Sequence, residues 1–96
     1  MKIIAIEKEL PGARPGEFRR LGRAEALTAW QLHQDDFIRE LYFKADEDLA
    51  VLILEAETLE DARSQLAELP FVKNGLIDFE LLPLRPYPGF ERLFNK

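Results

Sequence analysis

The stretch "LAVLILEA", residues 49–56, constrains this chain more than any other. A strand with one wet face alternates polar and apolar residues. This run is apolar on both sides of the pleat, which predicts a central strand covered on both faces. Ninety-six residues make one small domain with a thin core. Helices from the same chain can cover one side of that strand, and the other side needs a cover from outside the single fold.

The neighbouring segments supply the parts. Residues 2–8, Lys-Ile-Ile-Ala-Ile-Glu-Lys, are β-branched and apolar and suit a first strand. "LPGARPG" is a loop by composition. A helical pattern then runs from about Gly16 to Gln34, followed by a strand, "FIRELYFK", over about 37–44 and the tight polar connection "ADED". After the central strand, Thr58 caps a second helix, with Asp61 at the reciprocal position of a capping box. Leu59, Ala62, Leu66 and Leu69 draw one apolar stripe along it. Pro70 stops that helix, Asn74-Gly75 supplies a turn, and "LIDFELLPL" alternates as a last strand.

The order is β-α-β-β-α-β. The economical fold is α+β and ferredoxin-like: a four-stranded antiparallel sheet with two helices on one face. The uncovered sheet face predicts a homodimer by face-to-face packing, a dimeric α/β barrel. Residues 1–84 form the domain. Residues 85–96, "RPYPGFERLFNK", carry Tyr87, Phe90, Leu93 and Phe94 and are too apolar to float free. Their two prolines favour an extended arm reaching a neighbouring subunit.

Composition narrows the partners. A net charge of -5 argues against nucleic acid, which normally needs a basic footprint. The basic cluster Arg19, Arg20 and Arg23 reads as a solvated helix end, with an anion-binding role as the alternative. No apolar run approaches the roughly 20 residues needed to span a bilayer. "MKIIAIEKEL" reads as a strand and not as a signal peptide, so a cytoplasmic location is the expectation. With no cysteine, disulfides and thiolate metal sites are excluded. One histidine with scattered carboxylates is no metal constellation, and neither a metal nor a cofactor is expected. Ser64, the only serine, lies within a helix and lacks a nucleophile-elbow motif.

One residue stands out on the first helix. At about 100° per residue, Phe18, Leu21, Ala29 and Leu32 form an apolar arc, and Glu25 falls in its middle. A carboxylate facing a core is costly unless it is hydrogen-bonded, and burial raises its pKa toward the range useful for proton transfer. Glu25 is therefore the candidate catalytic group. The alternative is that it pairs with an arginine or tyrosine, or reaches water at the helix edge. His33 lies at the edge of the same arc, and Tyr42 on the second strand can donate a hydrogen bond; both are candidates to orient a small ligand.

The residues "LYFKADEDLAVLILEAETLEDARSQLAELPFVKNGLIDFELLPL" resemble the muconolactone isomerase family of dimeric α/β-barrel proteins. The resemblance lies in the order of parts: a hairpin, a strand ending in an acidic residue, a Thr-capped short helix, Leu69-Pro70-Phe71, then a strand of alternating apolar and acidic residues. It covers roughly residues 20–86. It implies a cofactor-free isomerase that moves a proton within an unsaturated lactone from aromatic-compound breakdown, in a pocket between sheet and helices. It also implies a homodimer that is grouped into a higher oligomer. Glu25 coincides with an acidic position of the family's first helix. Three features depart from the family pattern, one of them the lack in "NGLIDFE" of the family's usual Pro-Tyr. Phe43 stands where the family's Leu-Trp-Arg carries arginine, and Arg85-Pro86 stands in place of His-Pro. Phe43 is thus expected at the pocket, with Arg39 or Arg85 as the substitute cation. Two other functions fit the same fold: a non-catalytic small-ligand-binding or assembly protein, and a cofactor-independent oxygenase.

Overall fold

The structure, a computed structural model, describes residues 1–95. Strand β1 (Lys2–Glu9) leads through a loop to helix α1 (Pro15–Gln34). Strands β2 (Ile38–Phe43) and β3 (Ala50–Glu55) form a hairpin, followed by helix α2 (Leu59–Leu66), the single turn α3 (Pro70–Lys73) and strand β4 (Ile77–Pro83). The sheet order is β2-β3-β1-β4, and every pair is antiparallel. This is the expected ferredoxin-like arrangement, with β3 central between β2 and β1.

The strands bury alternate residues against the helices. Ile3 and Ala5 of β1, Leu52 and Leu54 of β3, and Ile77 and Phe79 of β4 are all buried. Leu32 of α1 and Ala62 and Leu66 of α2 close over them. The register puts Ile3 opposite Leu54 and Ala5 opposite Leu52, so these side chains share one face. The other face carries Ile4, Ile6, Val51 and Ile53, all half-buried, and Leu82, which is exposed.

The connections that lead from helix into strand close in the same way. After α1, Asp36 adopts φ 65°, with its N–H donating to the His33 carbonyl at 3.1 Å and that of Phe37 to the Leu32 carbonyl at 3.1 Å. After α3, Gly75 adopts φ 71°, and the N–H groups of Gly75 and Leu76 donate to the carbonyls of Val72 and Phe71. Each is a left-handed cap that satisfies the last helical carbonyls and redirects the chain into a strand. At the start of α2, Thr58 Oγ1 accepts from the Asp61 N–H at 3.0 Å. Asp61 instead accepts from Gln65 Nε2 at 3.3 Å, so the cap runs one way.

Two local expectations need correction. The second helix ends at Leu66, before Pro70, and Pro70 instead opens α3 at its first helical position, where its missing N–H is not needed. The C-terminal stretch is not extended throughout: residues Gly89–Leu93 form a 3-10 helix, with the Tyr87 and Phe90 rings edge-to-face at 5.1 Å. The last residue of the expected arm, Lys96, lies outside the described residues. The described part of that stretch stands away from the body. Tyr87, Phe90, Leu93 and Phe94 are exposed, and the Cα radius of gyration, 15.9 Å, exceeds the ~12.5 Å of a compact chain this long.

Candidate functional site

A β-bulge decides which side chains β2 offers to the helices. Ile38 pairs with Leu54 and Glu40 with Ile53, which leaves Arg39 as the extra residue. Strict alternation from Ile38 would turn Glu40 and Tyr42 inward. The bulge turns Leu41 and Phe43 inward instead, opposite Leu52 and Ala50. Glu40 and Tyr42 take the open face, where the Tyr42 hydroxyl donates to Glu40 Oε1 at 2.5 Å. That bond and the Glu40 charge push the Tyr42 phenol above its ordinary pKa and keep it protonated.

Leu41 and Phe43 have no helix above them and are 42% and 65% exposed. The sheet and helices therefore part at this end and leave a cleft of about 1330 Å³. It exceeds the ~300–1,000 Å³ of an enclosed small-molecule site because it opens to solvent. Its floor includes Leu52 and Phe79, its helical wall Phe18, Glu25 and Phe71, and its mouth Phe43. Phe18 and Phe71 meet edge-to-face at 5.1 Å and fix α1 against α3.

Glu25 is half-buried on that wall. Its Oε1 accepts a hydrogen bond from the Phe71 N–H at 2.9 Å. Phe71 follows Pro70 in the first turn of α3, where backbone N–H groups lack helical partners, and the carboxylate satisfies one of them. Burial raises the Glu25 pKa above the ordinary carboxylate value; the Phe71 bond opposes the shift and the negative charge of Glu7 adds to it.

Glu7 is a site residue that the sequence reading missed. It follows Ile3 and Ala5 at the same two-residue spacing on the helix-facing side of β1 and lines the cleft. Its Oε1 accepts from the Ala50 N–H at 3.0 Å. Burial raises its pKa, the Ala50 bond lowers it and Glu9 raises it further. Strand alternation in "IIAIEKE" was the available signal.

The other candidates separate. Phe43 lines the cleft and Tyr42 reaches its rim. His33 and Arg39 are not among the lining residues. His33 Nδ1 lies 2.7 Å from the Ile38 carbonyl oxygen, and its ring tilts against Trp30 at a centroid distance of 6.0 Å. The Arg39 Nε–H donates to the Asp36 carbonyl at 2.5 Å. Among the described residues, no group of three or more His, Cys, Asp or Glu side chains is placed to hold a metal ion. No helix there is long and apolar enough to cross a membrane.

No protein-family model and no curated protein matches this chain. Solved structures do. The chain is similar to muconolactone isomerase, with a TM-score of 0.75 and 21% identity over 92% of each chain. It is also similar to the 5-chloro-2-hydroxyhydroquinone dehydrochlorinase of Burkholderia phenoliruptrix, solved in complex with 2,5-dihydroxybenzoquinone. That likeness has a TM-score of 0.63 and 20% identity, covering 93% of this chain and 98% of that one. At such identities the likeness shows the fold.

Proposed function

We propose that the cleft binds a small, largely apolar lactone or carbonyl compound and that Glu25 moves a proton within it, as a cofactor-free isomerase would. The observation that carries this reading is a half-buried carboxylate on the wall of an apolar cleft, anchored through one oxygen on the Phe71 N–H. Such a group, its pKa raised by burial, takes a proton from a carbon next to a carbonyl and returns it to another carbon near neutral pH. Phe18, Phe71 and Phe79 offer an unsaturated ring flat apolar surfaces. The fold likeness to a muconolactone isomerase supports the substrate class by analogy. Phe43 and Tyr42 form the mouth in this reading. His33 and Arg39, outside the lining, are given no part.

The test uses α-angelica lactone, a neutral β,γ-unsaturated lactone whose shift to the conjugated isomer is followed by ultraviolet absorbance. The wild-type protein should accelerate the shift, and Glu25→Gln should lower kcat by about 10²–10⁴-fold. Glu25→Gln keeps an oxygen for the Phe71 N–H, so equal rates for the two proteins would sink the assignment.

We also propose that the open sheet face packs on a second copy of the chain and that residues 85–96 reach across to it. Ile4, Ile6, Val51 and Ile53 form an apolar stripe there, and the aromatic residues of the tail are exposed. Sedimentation velocity at micromolar concentration should show a dimer or larger for the wild type and a monomer for Ile53→Lys. A wild-type monomer would contradict the assembly.

A further inference from the structure

The cleft holds a second carboxylate that the chemistry above leaves idle. Glu7 rises from the sheet floor and Glu25 from the helix wall, and both line the same space. The two are held alike, each with Oε1 on a main-chain N–H, Ala50 at 3.0 Å for Glu7 and Phe71 at 2.9 Å for Glu25. Among the described residues, neither Oε2 has a hydrogen-bond partner within the protein. Each carboxylate thus has one oxygen fixed and one available. The negative charge of Glu7 also helps to raise the Glu25 pKa, after burial.

We propose that Glu7 is the second acid–base group of the cleft, and that the Glu7–Glu25 pair selects uncharged, oxygen-bearing unsaturated ligands over carboxylates. The proposal rests on the proton-transfer reading of the cleft and deepens it. Two carboxylates whose charges interact do not ionise independently, and over a span of pH such a pair holds one proton between its members. The protonated member donates its O–H to the ligand's carbonyl oxygen. The ionised member takes the proton from the adjacent carbon, and the C–H electron pair becomes the C=C bond of an enol. In the return half, the enol oxygen gives its proton back to the first carboxylate and the second delivers its proton to the new carbon. The pair ends with the one proton it began with, and the ligand is isomerised without oxidation or reduction.

The surroundings of Glu7 set the ligand's charge. Glu9 lies on its own strand, Glu25 faces it from α1, Glu47 and Asp48 line the cleft from the β2–β3 connection, and Glu80 of β4 reaches the rim. The lining cations are Lys8 and Lys44, and Lys44 lies 3.9 Å from Glu47. Among the described residues, no arginine lines the cleft to receive a carboxylate, since Phe43 stands at the mouth and Arg39 turns to the Asp36 carbonyl. A carboxylate on the ligand would be brought among like charges with too few cations to compensate.

The experiment compares α-angelica lactone with the same ring bearing an acetate side chain, using wild type, Glu7→Gln and Glu25→Gln. The amide oxygen in Glu7→Gln would still accept from the Ala50 N–H, and thermal denaturation checks that the variant is folded. The wild type should prefer the neutral lactone by about tenfold or more in kcat/KM. Glu7→Gln should lower kcat on the neutral lactone by about 10²-fold and narrow that preference. It should also shift the Glu25 titration to lower pH, read from the carboxyl carbon by NMR, a change that a merely structural role for Glu7 would not produce. Faster turnover of the acetate-bearing ring by the wild type overturns the ligand class. Wild-type kcat in Glu7→Gln with an unmoved Glu25 titration overturns the pair. In either case a slow Glu25→Gln leaves the single-carboxylate reading standing, whereas a fully active Glu25→Gln removes that reading itself.

Discussion

The helix-facing layer of the sheet has two ends, and they are built for opposite purposes. At one end Ile3, Leu54 and Ile38, all 0% exposed, meet Leu32, Ala62 and Leu66 in a closed core. At the other end the same strands carry Glu7, Ala50, Leu41 and Phe43, and the helices no longer cover them. The strands and the alternation are continuous between the two ends; the change lies in side-chain chemistry and in the helical cover. Helix α1 closes over the first end and only borders the second, where it presents Glu25 on the cleft wall in place of a core leucine. Interior packing is thus replaced locally by two half-buried carboxylates, Glu7 and Glu25, that line the cleft.

Truncations along this layer should grade accordingly. Leu54→Ala leaves a cavity in the closed end and should cost about 2–5 kcal/mol. Glu25→Ala removes the acceptor of the Phe71 N–H and should cost about 1–2 kcal/mol, less than a core truncation because the site is half open. Phe43→Ala at the mouth should change stability by less than about 0.5 kcal/mol. Urea denaturation at protein concentrations where the assembly state is unchanged measures all three. A Phe43→Ala cost as large as that of Leu54→Ala would mean that the mouth is covered in solution, by the C-terminal stretch or by a second copy.

The closed end was the more legible of the two in the sequence. Continuous apolar runs marked the strands that carry Ile3 and Leu54, a period-3.6 stripe marked Ala62 and Leu66, and the turn and cap chemistry of Thr58 and Gly75 set the element order. Glu25 was legible because a single charge interrupts the apolar arc of α1. Glu7 obeys the same alternation as Ile3 and Ala5, yet lies near the end of its strand, where a charge reads as the strand running into solvent. Tyr42 and Phe43 could not be assigned faces, because the bulge at Arg39 inverts the alternation of β2 and nothing in "FIRELYF" requires a bulge. Pro70 shows a related limit: it marks a helix boundary, but the same ring serves at a first helical position as well as after a last one. The contact between Glu25 and Phe71, 46 residues apart, belongs to tertiary packing alone.

The smallest effect expected is a slope in stability with pH, and its sign separates the two ends. Among the described residues, the closed end contains no buried charged or polar residue. In the open end Glu7 and Glu25 both have pKa values raised above the ordinary 4.5 by burial. Between 4.5 and those raised values the folded protein holds more protons than the unfolded chain, so rising pH favours unfolding. Their stabilising contribution is complete below 4.5 and is lost as pH rises through the folded values. Glu55 acts in the opposite sense: the N-terminal amino group, 2.6 Å away, lowers its pKa, and that contribution is lost on acidification. Comparing wild type with the double variant Glu7→Gln/Glu25→Gln cancels the Glu55 contribution. Relative to that variant, the wild type should become progressively less stable as pH rises from about 4.5 toward neutral, measured by urea denaturation at each pH. A pH-independent difference between the two proteins would mean that the carboxylates are as well solvated in the cleft as in the unfolded chain, and the contrast between the ends of the layer would then be one of packing without electrostatics.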